Sequence, residues 1–304
     1  MRLLIIGGSY FFGRVYTMYA AEKNDIVMFN RGSFPMNMEH VLEVRGDRGV
    51  ADDLRQIPTG EYDAVVDFCG YGEGDIKRLV DNASISFKQY IFVSTGDVTK
   101  RVKYTDGLLK DETSGYETDI AEGEAGDYIR GKIALEKELK SLASSRGFSY
   151  TIIRPSVLYG PYNYAPRESE FVKMLLQTRR VFLPSGADML YSLCYIKDAA
   201  LMTLGITGKE KARDRIYYLA GEAATGERIA DLLIEASGLD IRKEFYPENV
   251  LLQSGIAVPF GGDRQESQLY NGEQIAIDTA LSYTPLEEGL AKTYRAFENI
   301  FRQN

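Results

Sequence analysis

Short apolar runs alternate with longer amphipathic stretches through the first half of the chain. Gly, Asp, Asn or Pro bounds each run, and most runs are rich in Val, Ile and Phe, which is typical of strands covered on both faces of a sheet. Strands are predicted over 3–6, 25–29, 41–44, 62–68, 89–93 and 150–153, and helices over 12–22, 75–83 and about 120–143. This alternation predicts an α/β fold with a Rossmann-type, doubly wound parallel sheet.

The pattern changes after Pro155. A loop rich in Tyr, Pro, Gly and Asn covers 159–167, and short strands and helices follow, with helices predicted over 225–236 and 286–301. We therefore expect a Rossmann dinucleotide-binding domain over 1–160 and a smaller C-terminal α/β substrate domain over most of 161–304. The segments 195–198 and 216–219 have the pattern of strand ends, so we expect 190–220 to return to the main sheet.

Composition narrows the classes of function. The 304 residues are 44% apolar, which is enough for a full hydrophobic core. A net charge of −8 argues against a protein that neutralises many phosphates, so nucleic acid is not the expected partner. No run approaches the roughly 18 apolar residues of a membrane helix, and the first residues lack the apolar stretch of a signal peptide. We expect a cytoplasmic protein with a small-molecule substrate and no membrane partner.

The scarcity of cysteine and histidine argues against disulfides, metal sites and histidine triads. Cys69 and Cys194 are the only cysteines, too few for a disulfide framework and without the spacing of a zinc site, so we interpret both as buried thiols. His40 is the only histidine, which argues against histidine triads and multi-histidine metal sites, and no metal is expected. Acid/base chemistry must therefore use another side chain.

A glycine pattern follows the first predicted strand and opens the first predicted helix, which is the context in which such a pattern binds dinucleotide phosphates. Gly7 permits a tight turn, Gly8 lets the backbone approach a pyrophosphate, and Gly13 permits close packing of helix on strand. Tyr10 stands where the common pattern has its middle glycine, so its ring must point away from the pyrophosphate or lie over it. The remaining residues of this predicted cofactor turn are Ser9, Phe11 and Phe12. A purely structural turn is the alternative.

The residues at the end of the second strand indicate whether NAD or NADP binds. An acid there favours NAD, and an arginine binds the 2′-phosphate on the adenosine ribose of NADP. The chain has Asn30 and Arg31 at this point. No acid repels a phosphate and Arg31 can bind one, so we predict NADP as the cofactor, with NAD as the alternative. A solvated loop cation is the other interpretation of Arg31.

Tyr128 and Lys132 are the candidate acid/base pair, since four residues on a helix place both side chains on one face. A nearby ammonium favours the phenolate, and we expect it to lower the tyrosine pKa from about 10. The same spacing recurs at Tyr19 and Lys23 in the first helix, so spacing alone is not specific. Tyr128 follows the fifth strand instead, and ligand sites collect at the carboxyl ends of such strands. A surface tyrosine beside a solvated lysine is the alternative.

Taken in order, the motifs resemble the extended and atypical short-chain dehydrogenase/reductases, which include the NAD-dependent epimerase/dehydratase family and the chloroplast stem-loop-binding protein branch. The matching segments are the glycine turn (7–13), Asn30 to Gly32, Asp47 after the third strand, Ser94 and Thr95 after the fifth, the Tyr128/Lys132 pair, and the segments 154–161, 195–200 and 283–290. Thr99 departs from the pattern, because many nucleotide-sugar epimerases carry a tyrosine there. This departure, like Tyr10, leaves the substrate open.

The resemblance implies hydride transfer at a secondary alcohol or ketone, on a nucleotide-sugar-like substrate, as net redox, epimerisation or dehydration. Tyr128 would exchange a proton with the substrate oxygen, Lys132 would hold the nicotinamide ribose, and Thr95 would hydrogen-bond the same oxygen. Further cofactor contacts are expected from Asp47, Cys69, Gly70, Pro155 and Ser156, and further substrate contacts from Ser94, Asn163 and Arg167.

The same resemblance leaves other functions open. A non-catalytic, NADP-sensing or RNA-associated protein is the main alternative, and a subunit of a flavin or quinone complex is a third. The family pattern also implies a homodimer through the helix that carries Tyr128.

Overall fold

The structure is a computed structural model that describes residues 1–101, 103–104, 109–163 and 165–303. Its central sheet contains seven strands: β1 (Arg2–Ile6), β2 (Asp25–Asn30), β3 (Val41–Arg45), β4 (Gly60–Asp67), β5 (Ile85–Val93), β6 (Ser149–Pro155) and β10 (Arg215–Leu219). All neighbouring strands are parallel, in the order β10-β6-β5-β4-β1-β2-β3. This confirms the predicted doubly wound α/β fold.

Helices cover both faces of this sheet. The helices of the described residues are α1 (Phe11–Ala20), α2 (Ala51–Leu54), α3 (Asp75–Asn82), α4 (Glu124–Arg146), α5 (Glu168–Thr178), α6 (Ile196–Ile206), α7 (Gly226–Ser237), α8 (Glu248–Gln253), α9 (Glu273–Thr279) and α10 (Leu286–Gln303). Of these, α5, α7 and α8 pack against β8, outside the central sheet. In β1, Leu3 and Ile5 join the core beneath α1 and α6, whereas Leu4 and Ile6 join the core beneath α3 and α4. Burial on both faces explains why the strands are continuous apolar runs.

Two small sheets lie outside the central one. The first contains β7 (Val157–Tyr159), β9 (Tyr191–Tyr195) and β11 (Ala223–Ala224), and the second pairs β8 (Arg180–Pro184) with β12 (Arg242–Tyr246). Residues 216–219 lie in β10 and so belong to the central sheet. The prediction that 195–198 also returns to the central sheet is wrong. Tyr195 ends β9, which pairs with β7 in a small sheet, and α6 begins at Ile196. The division into two domains stays a prediction.

A buried ion pair fixes α4 on the sheet. Arg154 of β6 donates from Nε and Nη2 to the Glu136 carboxylate at 3.0 and 2.7 Å, and both side chains are at most 2% exposed. Arg154 also donates to the Tyr218 hydroxyl at 3.0 Å. Glu136 lies one turn after Lys132 on α4, so this pair also sets where Tyr128 and Lys132 lie relative to the sheet.

Candidate functional site

The glycine turn joins β1 to α1 in a conformation that side chains do not fit. Gly7 and Gly8 have φ of 87° and 76°, in the left-handed region that favours glycine. A Cβ at Gly13 would lie 2.7 Å from the Gly8 Cα. Thr17 of α1 donates to the Gly8 carbonyl at 2.9 Å and closes the turn. The first turn of α1 is thereby held against the end of β1, which is the geometry that brings helix N–H groups to a phosphate.

A cavity of about 590 Å³ opens beside this turn, at the carboxyl ends of β1 to β4. Of the predicted cofactor residues, those lining it are Gly7, Gly8, Ser9, Tyr10, Asn30, Arg31, Asp47 and Cys69. Tyr10 is half exposed, and its ring contacts Phe34 at 5.4 Å between centroids. Phe12 instead packs in the core against Phe68, and Phe11 lies at the start of α1 beside that core. The size of the cavity and the glycine cradle fit a dinucleotide.

Two arginines lie near the rim of this cavity: Arg31 follows β2 and lines the cavity, and Arg45 ends β3. Asn30 accepts from the Gly32 amide at 2.6 Å and donates to the Gly7 carbonyl at 3.4 Å, so its side chain shapes the turn. Arg31 is exposed, and the Arg45 side chain runs along Gly32. Within the part of the chain that the structure describes, no carboxylate pairs with Arg31 or Arg45. Positive charge is therefore available at this side of the cavity.

The cavity wall contains an ion pair that the sequence analysis missed. Arg48 donates from Nη1 and Nη2 to the two Asp67 oxygens at 2.8 and 3.0 Å, and the Tyr90 hydroxyl donates to Asp67 at 2.7 Å. Burial alone would raise the pKa of Asp67, but the charge of Arg48 and these hydrogen bonds outweigh it and hold that pKa below its ordinary value. The sequence signal for this ion pair was Asp67, an acidic residue directly after the apolar run of β4.

Beside the same wall, Cys69 and Gly70 follow β4. The Cys69 thiol packs against Gly7, and burial raises its pKa to about 11. Gly70 packs against the Phe92 ring and Asp67. Asp47 is exposed and accepts from the Gly49 amide at 2.7 Å.

Tyr128 on α4 and Thr95 after β5 both lie near the carboxyl end of β5. The Thr95 hydroxyl donates to the Asp97 carboxylate and accepts from the Asp97 amide, both at 3.3 Å. Tyr128 is 38% exposed, yet partial burial, followed by the charges of Tyr71 and Asp97, raises its pKa to about 12, and Thr95 opposes this rise. Ser94 is 4% exposed, and its hydroxyl has no hydrogen-bond partner among the described residues.

Lys132 is 2% exposed, and its Nζ donates to the Val93 carbonyl at 2.8 Å. Burial lowers the Lys132 pKa to about 8, against the opposing charge of Asp67. The prediction that this ammonium lowers the Tyr128 pKa is wrong for this structure. Lys132 Nζ is 5.6 Å from the centre of the Tyr128 ring and directs its hydrogen bond to Val93, so burial determines the phenol's pKa.

The remaining predicted residues lie on the segments that follow β6. Pro155 ends β6, and Ser156 donates to the Leu219 carbonyl at 2.8 Å. Asn163 is 2% exposed; it donates to Glu168, the first residue of α5, at 2.9 Å and accepts from the Ala165 amide at 3.0 Å, so its side chain ties the loop to the start of α5. Arg167 donates to the Leu158 carbonyl at 3.2 Å. Substrate contact by Asn163 and Arg167 stays a prediction.

Two further features are absent from the part of the chain that the structure describes. No helix in that part of the chain is both long and apolar enough to cross a bilayer. No group of three His, Cys, Asp or Glu side chains is placed there to hold a metal ion.

Solved structures share this fold over nearly the whole chain. A UDP-glucose 4-epimerase of Thermotoga maritima with UDP-glucose has 18% sequence identity and a TM-score of 0.77, covering 99% of this chain and 100% of its own. A UDP-N-acetylglucosamine 4-epimerase of Methanobrevibacter ruminantium in complex with UDP-N-acetylmuramic acid has 16% identity and a TM-score of 0.76, covering 98% of both chains. A dTDP-glucose 4,6-dehydratase of Bacillus anthracis in complex with NAD has 16% identity and a TM-score of 0.74, covering 98% of this chain and 97% of its own. At these identities the likeness shows the fold alone.

Sequence comparison identifies the family and confirms the predicted resemblance. The chloroplast stem-loop binding protein of 41 kDa b of Arabidopsis thaliana is 27% identical over 254 residues, which are 78% of this chain. The chain spans 63% of the length of that relative. The family model described as NAD dependent epimerase/dehydratase family matches residues 3–220, well over half of the chain. The chain therefore belongs to the NAD dependent epimerase/dehydratase family of enzymes.

Proposed function

We propose that this chain is an NAD(P)-dependent oxidoreductase of the epimerase/dehydratase type, which transfers hydride at a secondary alcohol or ketone with Tyr128 as the acid/base. One observation carries the proposal: Tyr128 and Lys132 share a face of α4, with the Lys132 Nζ 5.6 Å from the centre of the Tyr128 ring, and Lys132 donates to the Val93 carbonyl at the carboxyl end of β5, next to Ser94 and Thr95. Ligand sites of doubly wound sheets collect at this edge.

The roles follow from the chemistry of each side chain. When bound, the dinucleotide supplies the hydride donor or acceptor. A Tyr128 pKa of about 12 keeps the phenol protonated at neutral pH, so it donates a proton to a substrate carbonyl oxygen. Thr95 hydrogen-bonds the phenolate or the substrate oxygen as charge develops there. Lys132 holds the nicotinamide ribose, and Ser94, with its unpaired hydroxyl, is the alternative partner for the substrate oxygen.

A nucleotide-linked sugar is the proposed substrate class. Solved structures of similar fold with bound UDP-glucose and UDP-N-acetylmuramic acid support it. A homodimer through α4 is proposed with it and is testable by sedimentation.

NADP is the proposed cofactor, with NAD as the alternative. The unpaired Arg31 and the neighbouring Arg45 support binding of the 2′-phosphate, and no acid follows β2 to repel it.

Substitution of Tyr128 tests the proposed chemistry. Wild type and Tyr128→Phe are incubated with NADP or NAD and with UDP-glucose, UDP-N-acetylglucosamine or dTDP-glucose, and sugar conversion is followed by NMR. We expect conversion by the wild type, none by Tyr128→Phe, and unchanged cofactor binding. Tyr246→Phe, at an exposed tyrosine of β12, is the matched control with wild-type activity. Full activity in Tyr128→Phe refutes the assignment.

An RNA-associated role is the second candidate, and the relative named for stem-loop binding is the observation in its favour. The net charge of −8 argues against it. An electrophoretic shift of a structured RNA at physiological salt, unaffected by Tyr128→Phe, would favour this role over catalysis.

A further inference from the structure

Tyr71 lies between the cofactor cavity and the proposed acid/base pair. It follows β4, lines the cavity, and has a side chain that is 57% exposed. The centre of its ring is 4.9 Å from Lys132 Nζ and 6.3 Å from the centre of the Tyr128 ring. The ring of Phe92 also faces Lys132 Nζ, at 4.8 Å. Tyr71 and Phe92 are thus the two aromatic rings nearest to the Lys132 ammonium, with the Tyr128 ring further away at 5.6 Å.

The backbone of Tyr71 is fixed against α4. A Cβ at Gly131 would lie 2.1 Å from the Tyr71 carbonyl oxygen. Only a glycine at position 131 therefore lets the Tyr71 backbone lie this close to α4. On the other side, Asp75 of α3 accepts from the Tyr71 amide at 3.0 Å and from the Gly72 amide at 3.1 Å. The position of the Tyr71 ring is therefore determined by the contact between the β4–α3 segment and α4.

Burial opposes the charge of Lys132. The Lys132 side chain is almost fully buried, and the hydrogen bond it donates goes to the neutral carbonyl of Val93. The charges of Asp67 and Glu136 favour the ammonium, and that of Arg48 disfavours it. An aromatic face stabilises such a desolvated ammonium further, because its electron density attracts the cation. Tyr71 and Phe92 supply two such faces.

We propose that Tyr71 is a positioning residue that keeps Lys132 charged and directed at the cofactor site through its aromatic face. This inference rests on the proposed role of Lys132 in holding the cofactor. Because Tyr71 acts through Lys132, its removal should matter only while Lys132 is present. The hydroxyl of Tyr71 is not required, since the attraction resides in the ring.

A double-mutant cycle tests this dependence. The dissociation constant of NADPH is measured by the fluorescence of the reduced nicotinamide for wild type, Tyr71→Leu, Tyr71→Phe, Lys132→Met and Tyr71→Leu/Lys132→Met. Leucine keeps an apolar side chain and removes the aromatic face, and Tyr71→Phe keeps the ring and so controls for the hydroxyl. We expect Tyr71→Leu to weaken binding roughly 3- to 10-fold and Tyr71→Phe to bind like the wild type. The double variant should bind as Lys132→Met does. Unchanged binding in Tyr71→Leu, or the same loss in both backgrounds, overturns the proposal.

The pH dependence separates positioning from a general loss of structure. Loss of the aromatic face disfavours the ammonium, so the pKa of Lys132, about 8 in the wild type, falls further in Tyr71→Leu. NADPH binding should then weaken at a pH lower by roughly half a unit to one unit. An unshifted alkaline limb overturns the proposal. Tyr246→Leu, at an exposed tyrosine of β12, is the control for the loss of an aromatic side chain.

Failure of the proposed function has a different signature. Activity retained in Tyr128→Phe refutes the acid/base assignment, whatever Tyr71→Leu does. If Tyr128→Phe is inactive and Lys132→Met binds NADPH weakly while Tyr71→Leu matches the wild type, only the inference about Tyr71 is refuted.

Discussion

Arg48 and Asp67 form a two-pronged ion pair across the carboxyl edge of the central sheet. The guanidinium donates to the two carboxylate oxygens at 2.8 and 3.0 Å, and Asp67 is fully buried. Arg48 follows β3 and Asp67 ends β4, and the ends of β1 and β2 lie between those strands. The pair therefore spans the part of the edge where the cavity opens.

Loss of Arg48 should destabilise the fold. Arg48→Met leaves the Asp67 carboxylate buried without its counter-ion, which costs about 3–5 kcal/mol for buried pairs. We expect a loss of this size in the free energy of unfolding, measured in urea. Arg55→Met, which breaks an exposed pair with Asp52, is the control and should cost less than about 1 kcal/mol. Similar losses of unfolding free energy in the two variants would show that the buried Arg48 pair stabilises the fold no more than an exposed pair does.

The same pair predicts a pH dependence. In the wild type the Asp67 pKa lies below its value in the unfolded chain. The stabilisation that the Asp67 carboxylate gives the folded state is therefore complete above pH about 4 and is lost as the pH falls further. In Arg48→Met burial raises that pKa, and stability should then increase as the pH falls from 7 toward 4. Urea unfolding of both proteins between pH 3 and pH 7 checks this sign, and parallel curves would contradict it.

Gly13→Ala should disturb the cofactor turn. The added methyl would lie 2.7 Å from the Gly8 Cα, and this backbone cannot move without opening the turn. We expect a destabilisation of about 1–3 kcal/mol, typical of overpacking, together with weaker binding of NADPH and NADH alike. Thermal unfolding and cofactor titration measure the two effects. Gly115→Ala is the matched control, since a Cβ there meets nothing within 4 Å. Equal behaviour of the two variants would refute the steric argument.

The predictable part of the fold is the part in which side-chain pattern alone determines structure. The strand predicted over 150–153 is β6, Ser149–Pro155, because burial on both faces requires a continuous apolar run. The segments ending at Tyr195 and Leu219 have similar patterns, yet only β10 joins the central sheet. That difference depends on which strand each one pairs with, and the local sequence carries no record of it.

The candidate site shows the same limit. Tyr128 and Lys132 share a helical face, as their spacing predicts, and Thr95 comes to them because parallel strands end at one edge. The pKa of Tyr128 was predicted with the wrong sign, because the direction of the Lys132 ammonium is set by the Val93 carbonyl in another element. The partnership of Arg48 with Asp67 likewise depends on tertiary contact.

Lys110→Met should stabilise the protein. Lys110 is 7% exposed, and its Nζ has no hydrogen-bond partner among the described residues, although it lies 5.6 Å from the centre of the Tyr270 ring. Burial lowers its pKa to about 8, so the charged form opposes folding at neutral pH. Methionine of similar shape removes that cost, and we expect a gain of about 1–3 kcal/mol at pH 7. The gain should shrink as the pH rises above 8, because the wild-type lysine then folds neutral. Urea unfolding at pH 7 and pH 9.5 measures it, with the exposed Lys209→Met as a neutral control. A destabilised Lys110→Met would show that the ammonium has a stabilising partner.

Arg31→Ala should remove the preference for NADPH over NADH. The guanidinium is exposed at the cavity rim, has no carboxylate partner in the described part of the chain, and lies where a 2′-phosphate is expected. A charge-assisted hydrogen bond contributes about 1.5–3 kcal/mol, so NADPH binding should weaken roughly 10- to 100-fold. NADH lacks the phosphate, and its dissociation constant should change less than about twofold. Fluorescence titration of both cofactors against wild type, Arg31→Ala and the surface control Arg213→Ala measures the ratio. A wild type that prefers NADH, or an equal loss for the two cofactors in Arg31→Ala, would mean that Arg31 is a solvated loop cation.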